Sequence, residues 1–225
     1  MNEEATRFLA TEEKGDVSGL FTIPDGARSL VVLGHAASTD IHHRSMSHIA
    51  RSLAEVGIGA LIYNFPYMEA GGRRVDSRAV CYATVRSAVS HAGKKVPALA
   101  LFAGGRSFGG RMTSMAAADD ALGVRGIIFY AFPLHPAKKP GIERAAHLMD
   151  TGLPMLFLSG TRDALADLTL LEPVVADLAG ASLHILDTAD HSFGVLKRSG
   201  HTEEGTYVEA ASVVRAFVQQ IEEAL

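Results

Sequence analysis

Gly104-Gly105-Arg106-Ser107-Phe108-Gly109-Gly110 sets one serine between paired glycines, directly after the apolar run Val96 to Ala103. The segment contains Gly-x-Ser-x-Gly at positions 105 to 109. In a sharp strand-to-helix turn, the residues two before and two after the serine press on neighbouring backbone, so only small residues fit and the serine is left at the tip. Pro97 to Ala103 reads as a strand buried on both faces, and Gly110 to Ala118 as a helix rich in Ala and Met. Strand, turn and helix therefore follow in the required order. Phosphate cradles are not expected: Gly104 and Gly109 are followed by Gly110 and Arg111 rather than by Gly-Lys-Ser/Thr, and the dinucleotide spacing Gly-x-Gly-x-x-Gly is absent.

Working outward, apolar strands alternate with helical patterns. Arg7–Ala10 and Val17–Ile23, separated by Glu12-Glu13-Lys14-Gly15-Asp16, read as an antiparallel pair at a sheet edge. Pro24-Asp25-Gly26 marks a turn into the strand Ser29–Gly34, which runs into the loop His35-Ala36-Ala37-Ser38. Met46, Ile49, Ala50, Leu53 and Ala54 form a helical face stopping at Gly57, and Ile58–Phe65 is the next strand, closed by Pro66. A loop over Glu69–Arg74 leads to a helix with Cys81, Val85, Ala88 and Val89 on one side.

Beyond the serine turn, Arg125–Phe132 and Pro154–Leu158 read as strands, with a short helical piece at Ile142–Met149 between them. Ala164–Leu178 is helical with an interruption near Pro173, Ser182–Leu186 is the last strand, and Ala210, Ala211, Val214, Phe217, Val218 and Ile221 mark a closing amphipathic helix. This alternation specifies an α/β fold: a doubly wound, mostly parallel central sheet with helices on both faces, as a single domain over residues 1–225. Leu134 to Gly152 is too short for a large lid.

A serine hydroxyl needs a base to take its proton, and the base needs a carboxylate to orient it. Asp163, in Ser159-Gly160-Thr161-Arg162-Asp163, follows one strand, and His191, in Asp190-His191-Ser192-Phe193, follows the next. In a parallel sheet these strand ends share the edge where ligands bind, so Ser107, Asp163 and His191 are expected to converge. Asp163 is preferred over Asp187 and Asp190, which flank the turn carrying His191 itself.

The order Ser, Asp, His and the elbow resemble the α/β-hydrolase superfamily over essentially the whole chain, especially small, nearly lidless members similar to dienelactone hydrolases. The Gly-Arg-Ser form of the elbow further resembles a hydrolase-like subgroup that includes testis-expressed proteins and a subunit of a nonspecific-lethal acetyltransferase complex. The resemblance implies a sheet of about eight strands, with Ser107 as nucleophile, His191 as base then acid, and Asp163 as orienting carboxylate. It also implies an oxyanion hole from the amide of Phe108 and one in the His35-Ala36-Ala37 loop, where Ala37 is favoured over Ala36. Dienelactone hydrolases proper carry cysteine at the elbow, so Ser107 points to general acyl transfer: a carboxylesterase-like enzyme cleaving a small ester, thioester or related acyl compound. The acetyltransferase-complex relatives keep a second reading open, that of a hydrolase-shaped binding or scaffold protein.

The remaining polar residues have ordinary readings. His42, His43 and His48 lack a carboxylate or cysteine at zinc spacing, so no metal is assigned, and no cofactor is implied. Arg106 either holds an acidic substrate or pairs within the fold, the latter being favoured. Tyr63, Phe65, Tyr67 and Met68 are read as core or pocket wall. The lone cysteine, Cys81, excludes an internal disulfide and reads as a buried thiol. A net charge of -4, 48% hydrophobic and 20% charged residues describe an ordinary globular chain with no electrostatic case for nucleic acid or anionic membrane. An acidic start, Met1-Asn2-Glu3-Glu4, and the lack of a membrane-length apolar run give the expectation of a cytoplasmic protein with a small-molecule substrate.

Overall fold

The computed structural model describes residues 2–224. Eight strands form one sheet: β1 (Asn2–Thr11), β2 (Gly15–Ile23), β3 (Ser29–Gly34), β4 (Gly59–Tyr63), β5 (Ala100–Arg106), β6 (Ile127–Tyr130), β7 (Met155–Arg162) and β8 (Ala181–Asp190), in the order β1-β2-β4-β3-β5-β6-β7-β8. β1 and β2 pair antiparallel, β2 meets β4 antiparallel, and every pair from β4 to β8 is parallel. The helices are α1 (Arg44–Glu55), α2 (Pro66–Glu69), α3 (Arg78–Lys95), α4 (Phe108–Asp119), α5 (Leu168–Ala176) and α6 (Glu203–Glu223).

Strand periodicity divides the core into two layers. Leu30 and Val32 of β3, Phe129 of β6 and Phe157 of β7 face the layer of α3, α4 and α5, with Cys81, Val85, Met112 and Leu171. Val31, Leu33, Ile128, Tyr130, Leu156 and Leu158 face the opposite layer, where α1 supplies Met46 and Ile49 and α6 supplies Tyr207, Val214 and Phe217. Both sheet faces are thus apolar, which is why these strands read as continuous hydrophobic runs.

Helix ends follow local chemistry. The His43 side chain accepts from Ser45 N–H at the start of α1, and Gly57 leaves its far end at φ 83°. Ser77 caps α3, which stops at Val96 ahead of Pro97. Thr202 accepts from Gly205 N–H at the start of α6, where Glu203 and Glu204 meet the positive end of the helix dipole.

Several boundaries differ from those read in the sequence. β5 begins at Ala100 rather than Pro97 and runs on through Gly104-Gly105-Arg106, because the turn after α3 uses Pro97 and Ala98. β6 is shorter than Arg125–Phe132, while β7 and β8 extend past Leu158 and Leu186 to Arg162 and Asp190, which pair beside a bulge. Pro173 lies inside α5 without interrupting it; its missing N–H costs one hydrogen bond on the exposed side of a short helix. Ile142–Met149 forms two 3-10 turns, Glu143–Ala145 and Leu148–Thr151, and no lid domain is inserted there. Glu69, read as loop, closes α2. There it accepts hydrogen bonds from Ser18 N–H and Oγ–H, from Asn64 Nδ2 at 2.9 Å and from Arg7 at 2.9 Å.

Two measurements check these arguments. A Cβ at Gly109 would run into the carbonyl of Gly34, whereas one at Gly93, inside α3, meets nothing closer than Leu101 Cδ1 at 3.5 Å. Chemical denaturation should show Gly109→Ala destabilised by at least about 3 kcal/mol and Gly93→Ala stabilised by about 0.5–1 kcal/mol. The second concerns Glu69, whose partial burial raises its pKa but is outweighed by the bonds from Asn64, Ser18 and Arg7, which bring it from 4.5 to about 2. A depressed carboxylate contributes stability that is full above the unfolded value and lost as pH falls through the folded one. Wild-type stability should therefore decline between pH 4.5 and about 2, with a shallower decline in Glu69→Gln.

Candidate active site

The chain reverses its direction of travel across the sheet between β3 and β5: β4 is laid on one side of β3, and β5 on the other. The loops leaving β3 and β5 therefore diverge and open a crevice at the C-terminal edge of the sheet. Ser107 stands there as the N-cap of α4, with φ 50° and ψ -111°. A non-glycine residue held at such angles costs about 1–3 kcal/mol and needs surroundings that impose it. The surroundings do so: Ser107 N–H donates to Tyr130 O at 2.9 Å, Arg111 N–H donates to Ser107 O at 3.1 Å, and Gly109 lies against Gly34, whose own Cβ would meet Gly109 Cα at 3.0 Å.

Asp163 follows β7 and His191 follows β8. The structure brings both to Ser107. His191 Nε2 lies 2.8 Å from Ser107 Oγ, and His191 Nδ1 lies 2.9 Å from Asp163 Oδ1 and 2.8 Å from Oδ2. The Asp163 side chain is wholly buried and also accepts Leu165 N–H at 2.8 Å. With Nδ1–H donated to the carboxylate, Nε2 presents its lone pair to the hydroxyl, which is the arrangement that takes a proton from serine. Asp190, the other acid near the base, accepts Ser192 N–H at 2.7 Å and Gly194 N–H at 3.0 Å and shapes the turn rather than the imidazole.

The loop after β3 is tethered by His35. Phe65 N–H donates to His35 Nε2 at 3.0 Å, so the ring proton is on Nδ1, which donates to Ala36 O at 2.8 Å. Burial drives its pKa down to about 4, against the smaller upward pull of the Ala36 carbonyl, and the ring stays neutral. Sequence reading named His35 only as the first residue of the loop after β3 and gave it no role of its own; its position immediately after a buried strand was the available signal. Tyr67 Oη donates to Ala37 O at 2.8 Å, fixing the next peptide. Neither Phe108 N–H nor Ala37 N–H has a hydrogen-bond acceptor among the described residues, and the same holds for Ala36 N–H.

Phe108 packs edge-on against Phe65 and Tyr67, with ring centroids 5.3 and 6.2 Å apart, so the aromatic residues after β4 wall one side of the crevice. His43 caps α1, and His48 packs against the ring of Tyr207 at 5.1 Å. Cys81 is buried in α3, where burial chiefly, with the Asp76 charge, pushes its thiol up to about 12 and leaves it inert. Arg106 departs from the internal ion pair favoured in the sequence. Among the described residues no carboxylate lies within 4 Å of it, and its Nη2 donates instead to the backbone oxygen of His191 at 3.0 Å. A cavity of about 620 Å³, lined by Arg125, Pro154, Gly180, Phe217 and Ile221, opens at the opposite edge of the sheet, where the strands begin.

Comparison with known proteins agrees with this architecture. Solved structures that superpose on the chain include a dienelactone hydrolase from Anabaena variabilis, 17% identical, with a TM-score of 0.76 and 97% of each chain covered. An α/β serine hydrolase homologue from Coxiella burnetii is 18% identical with a TM-score of 0.73, covering 94% of this chain and 96% of that one. A lidless α/β serine hydrolase from Xanthomonas campestris is 19% identical with a TM-score of 0.73, covering 96% and 94%. At these identities the superpositions speak to the fold. The sequence profile of the alpha/beta hydrolase domain matches residues 27–219, from just before β3 to near the end of α6, and the chain accordingly belongs to the alpha/beta hydrolase family.

Proposed function

We propose that this protein is a serine-dependent, carboxylesterase-like hydrolase that cleaves a small ester, thioester or related acyl compound through an acyl-serine intermediate. The observation that carries the reading is the continuous hydrogen-bonded path from Ser107 Oγ through the His191 ring to Asp163, with contacts of 2.8 Å on either side of the imidazole. Ser107 attacks the carbonyl carbon as its proton passes to His191 Nε2, and Asp163 stabilises the imidazolium that results. The free N–H groups of Phe108 and Ala37 receive the developing oxyanion. His191 then returns the proton to the leaving group, and water, activated by the same ring, releases the acid and restores Ser107. A hydrolase-shaped scaffold needs no such hydrogen-bonded path, which favours the enzyme.

The segment between β6 and β7 carries two 3-10 turns in place of an inserted lid, which supports a preference for short substrates in this proposal. The Gly-Arg-Ser elbow supports placement in the subgroup of testis-expressed and nonspecific-lethal-complex hydrolase-like proteins. Among the described residues no helix is long and apolar enough to cross a membrane. We place the protein in the cytoplasm as one domain acting on a small molecule.

Ser107→Ala should fold normally and lose activity by about a thousandfold or more on acetyl and butyryl esters. Asp163→Asn should lose about a hundredfold or more, because the amide favours the wrong imidazole tautomer. Asp190→Asn should keep most activity, since an amide oxygen still accepts the Ser192 and Gly194 N–H groups. A fluorophosphonate should label Ser107 stoichiometrically in the native protein and fail to label His191→Ala, and acetyl esters should turn over faster than palmitoyl ones. Absence of labelling in folded protein would favour the scaffold reading, and labelling with a long-chain preference would overturn only the short-substrate argument.

A further inference from the structure

Arg106 is the residue of the elbow that acyl transfer leaves unexplained. Strand alternation puts it on the same side of β5 as Phe102, facing the layer built by α1 and α6. There it is 6% exposed. Its surroundings are the ring of Tyr207, 1% exposed, whose phenol pKa is raised by burial and pulled back by the charge and approach of the Arg106 guanidinium, and the cap residue His43, whose pKa is lowered by burial first and by the Arg106 charge second. Glu203, which with Asp40 is one of two acids whose charge reaches His43, is engaged by Arg44 at 3.0 Å.

A guanidinium largely withdrawn from water, with no carboxylate within 4 Å among the described residues, is unfavourable, and a well-packed apolar side chain would serve the fold equally well. Beside the Tyr207 phenol, Arg106 donates from Nη2 to the carbonyl of His191 at 3.0 Å. That carbonyl belongs to a turn held in an unusual shape: Phe193 sits at φ 62°, and its ring is buried 5.6 Å from that of Tyr207. The contact closes a loop of interactions. Arg106 is bonded covalently to Ser107, Ser107 Oγ meets His191 Nε2, and His191 O returns to Arg106 Nη2. Asp163 sets the rotation of the imidazole about its own axis. Nothing in that contact fixes how far the His191 backbone stands from the elbow.

We propose that Arg106 is a positioning residue for the base, its guanidinium holding the His191 carbonyl so that Nε2 keeps hydrogen-bond reach of Ser107 throughout acyl transfer. The proposal rests on the serine-hydrolase reading for its kinetic consequence and on the geometry alone for its structural one. A misplacement of about 1 Å at such a base costs on the order of a hundredfold in rate without weakening substrate binding.

Arg106→Met and Arg106→Lys should therefore be compared with wild type in three ways. Chemical denaturation should show Arg106→Met as stable as wild type or more so. Its kcat for butyryl ester and its rate of phosphonylation at Ser107 should fall by about ten- to a hundredfold, with KM within about twofold. Arg106→Lys, which retains a cationic donor for the carbonyl, should recover part of the rate. Amide hydrogen exchange across residues 191–194 should be faster in Arg106→Met, a readout that needs no substrate. A folded Arg106→Met with kcat within about twofold of wild type would overturn the proposal, as would unchanged exchange in that turn. A loss confined to KM would also overturn it and make Arg106 a substrate contact. If wild type neither turns over nor labels, the serine reading fails, and the exchange measurement still decides for or against the anchoring of the turn.

Discussion

The close approach of α4 to the end of β3 is the contact on which the site depends. Gly109 sits where any side chain would strike the carbonyl of Gly34, and a Cβ at Gly34 would in turn crowd Gly109, Phe65 and Tyr63 at 3.0–3.1 Å. A helix seated that near the sheet leaves no residues for a relaxed turn, so the chain passes from strand to helix through one strained residue. That residue is Ser107, and its strain projects the hydroxyl from the edge of the sheet instead of into either core layer. The same approach leaves the N–H of Phe108, at the start of α4 and next to the strained Ser107, without an acceptor among the described residues.

Around this contact, polar tethers fix loops that apolar packing does not reach. His35 is held neutral by burial, accepting from Phe65 N–H and donating to Ala36 O, and thereby joins the loop after β3 to the loop after β4. Tyr67 does the same for Ala37, and Asp190 for the turn that follows His191. The His35 bonds are buried, where a satisfied hydrogen bond is strong and a broken one is costly, so the loops after β3 and β4 are held in one arrangement, while the Asp190 bonds lie nearer the surface. The two apolar layers hold the sheet, and the tethers hold its C-terminal edge.

Sequence reading went furthest where a residue type has one physical use. Gly105 and Gly109 flanking Ser107 announce a turn that tolerates no side chains, and apolar runs such as Ser29–Gly34 announce strands covered on both faces. Together with the order Ser107, Asp163, His191, these sufficed for the fold class and for the three residues that meet at the sheet edge. Boundaries were less legible. Pro97 and Ala98 have strand-like neighbours but serve a turn, and Pro173 suggests a break that α5 absorbs, because the packing of Leu171 and Val175 against the core outweighs local preference.

The sequence by itself determined the alternation of elements, the strained elbow and the identity of the residues able to form a Ser-His-Asp path, because each follows from side-chain size, periodicity or titration chemistry at a single position. Only the tertiary structure decided how closely Asp163, preferred from the sequence, meets His191, that His35 tethers the loop after β3, and that Arg106 reaches a carbonyl rather than a carboxylate. Those outcomes depend on distances between residues 28 to 85 positions apart, set by strand order and by which face of a strand a side chain leaves, and no local pattern encodes them.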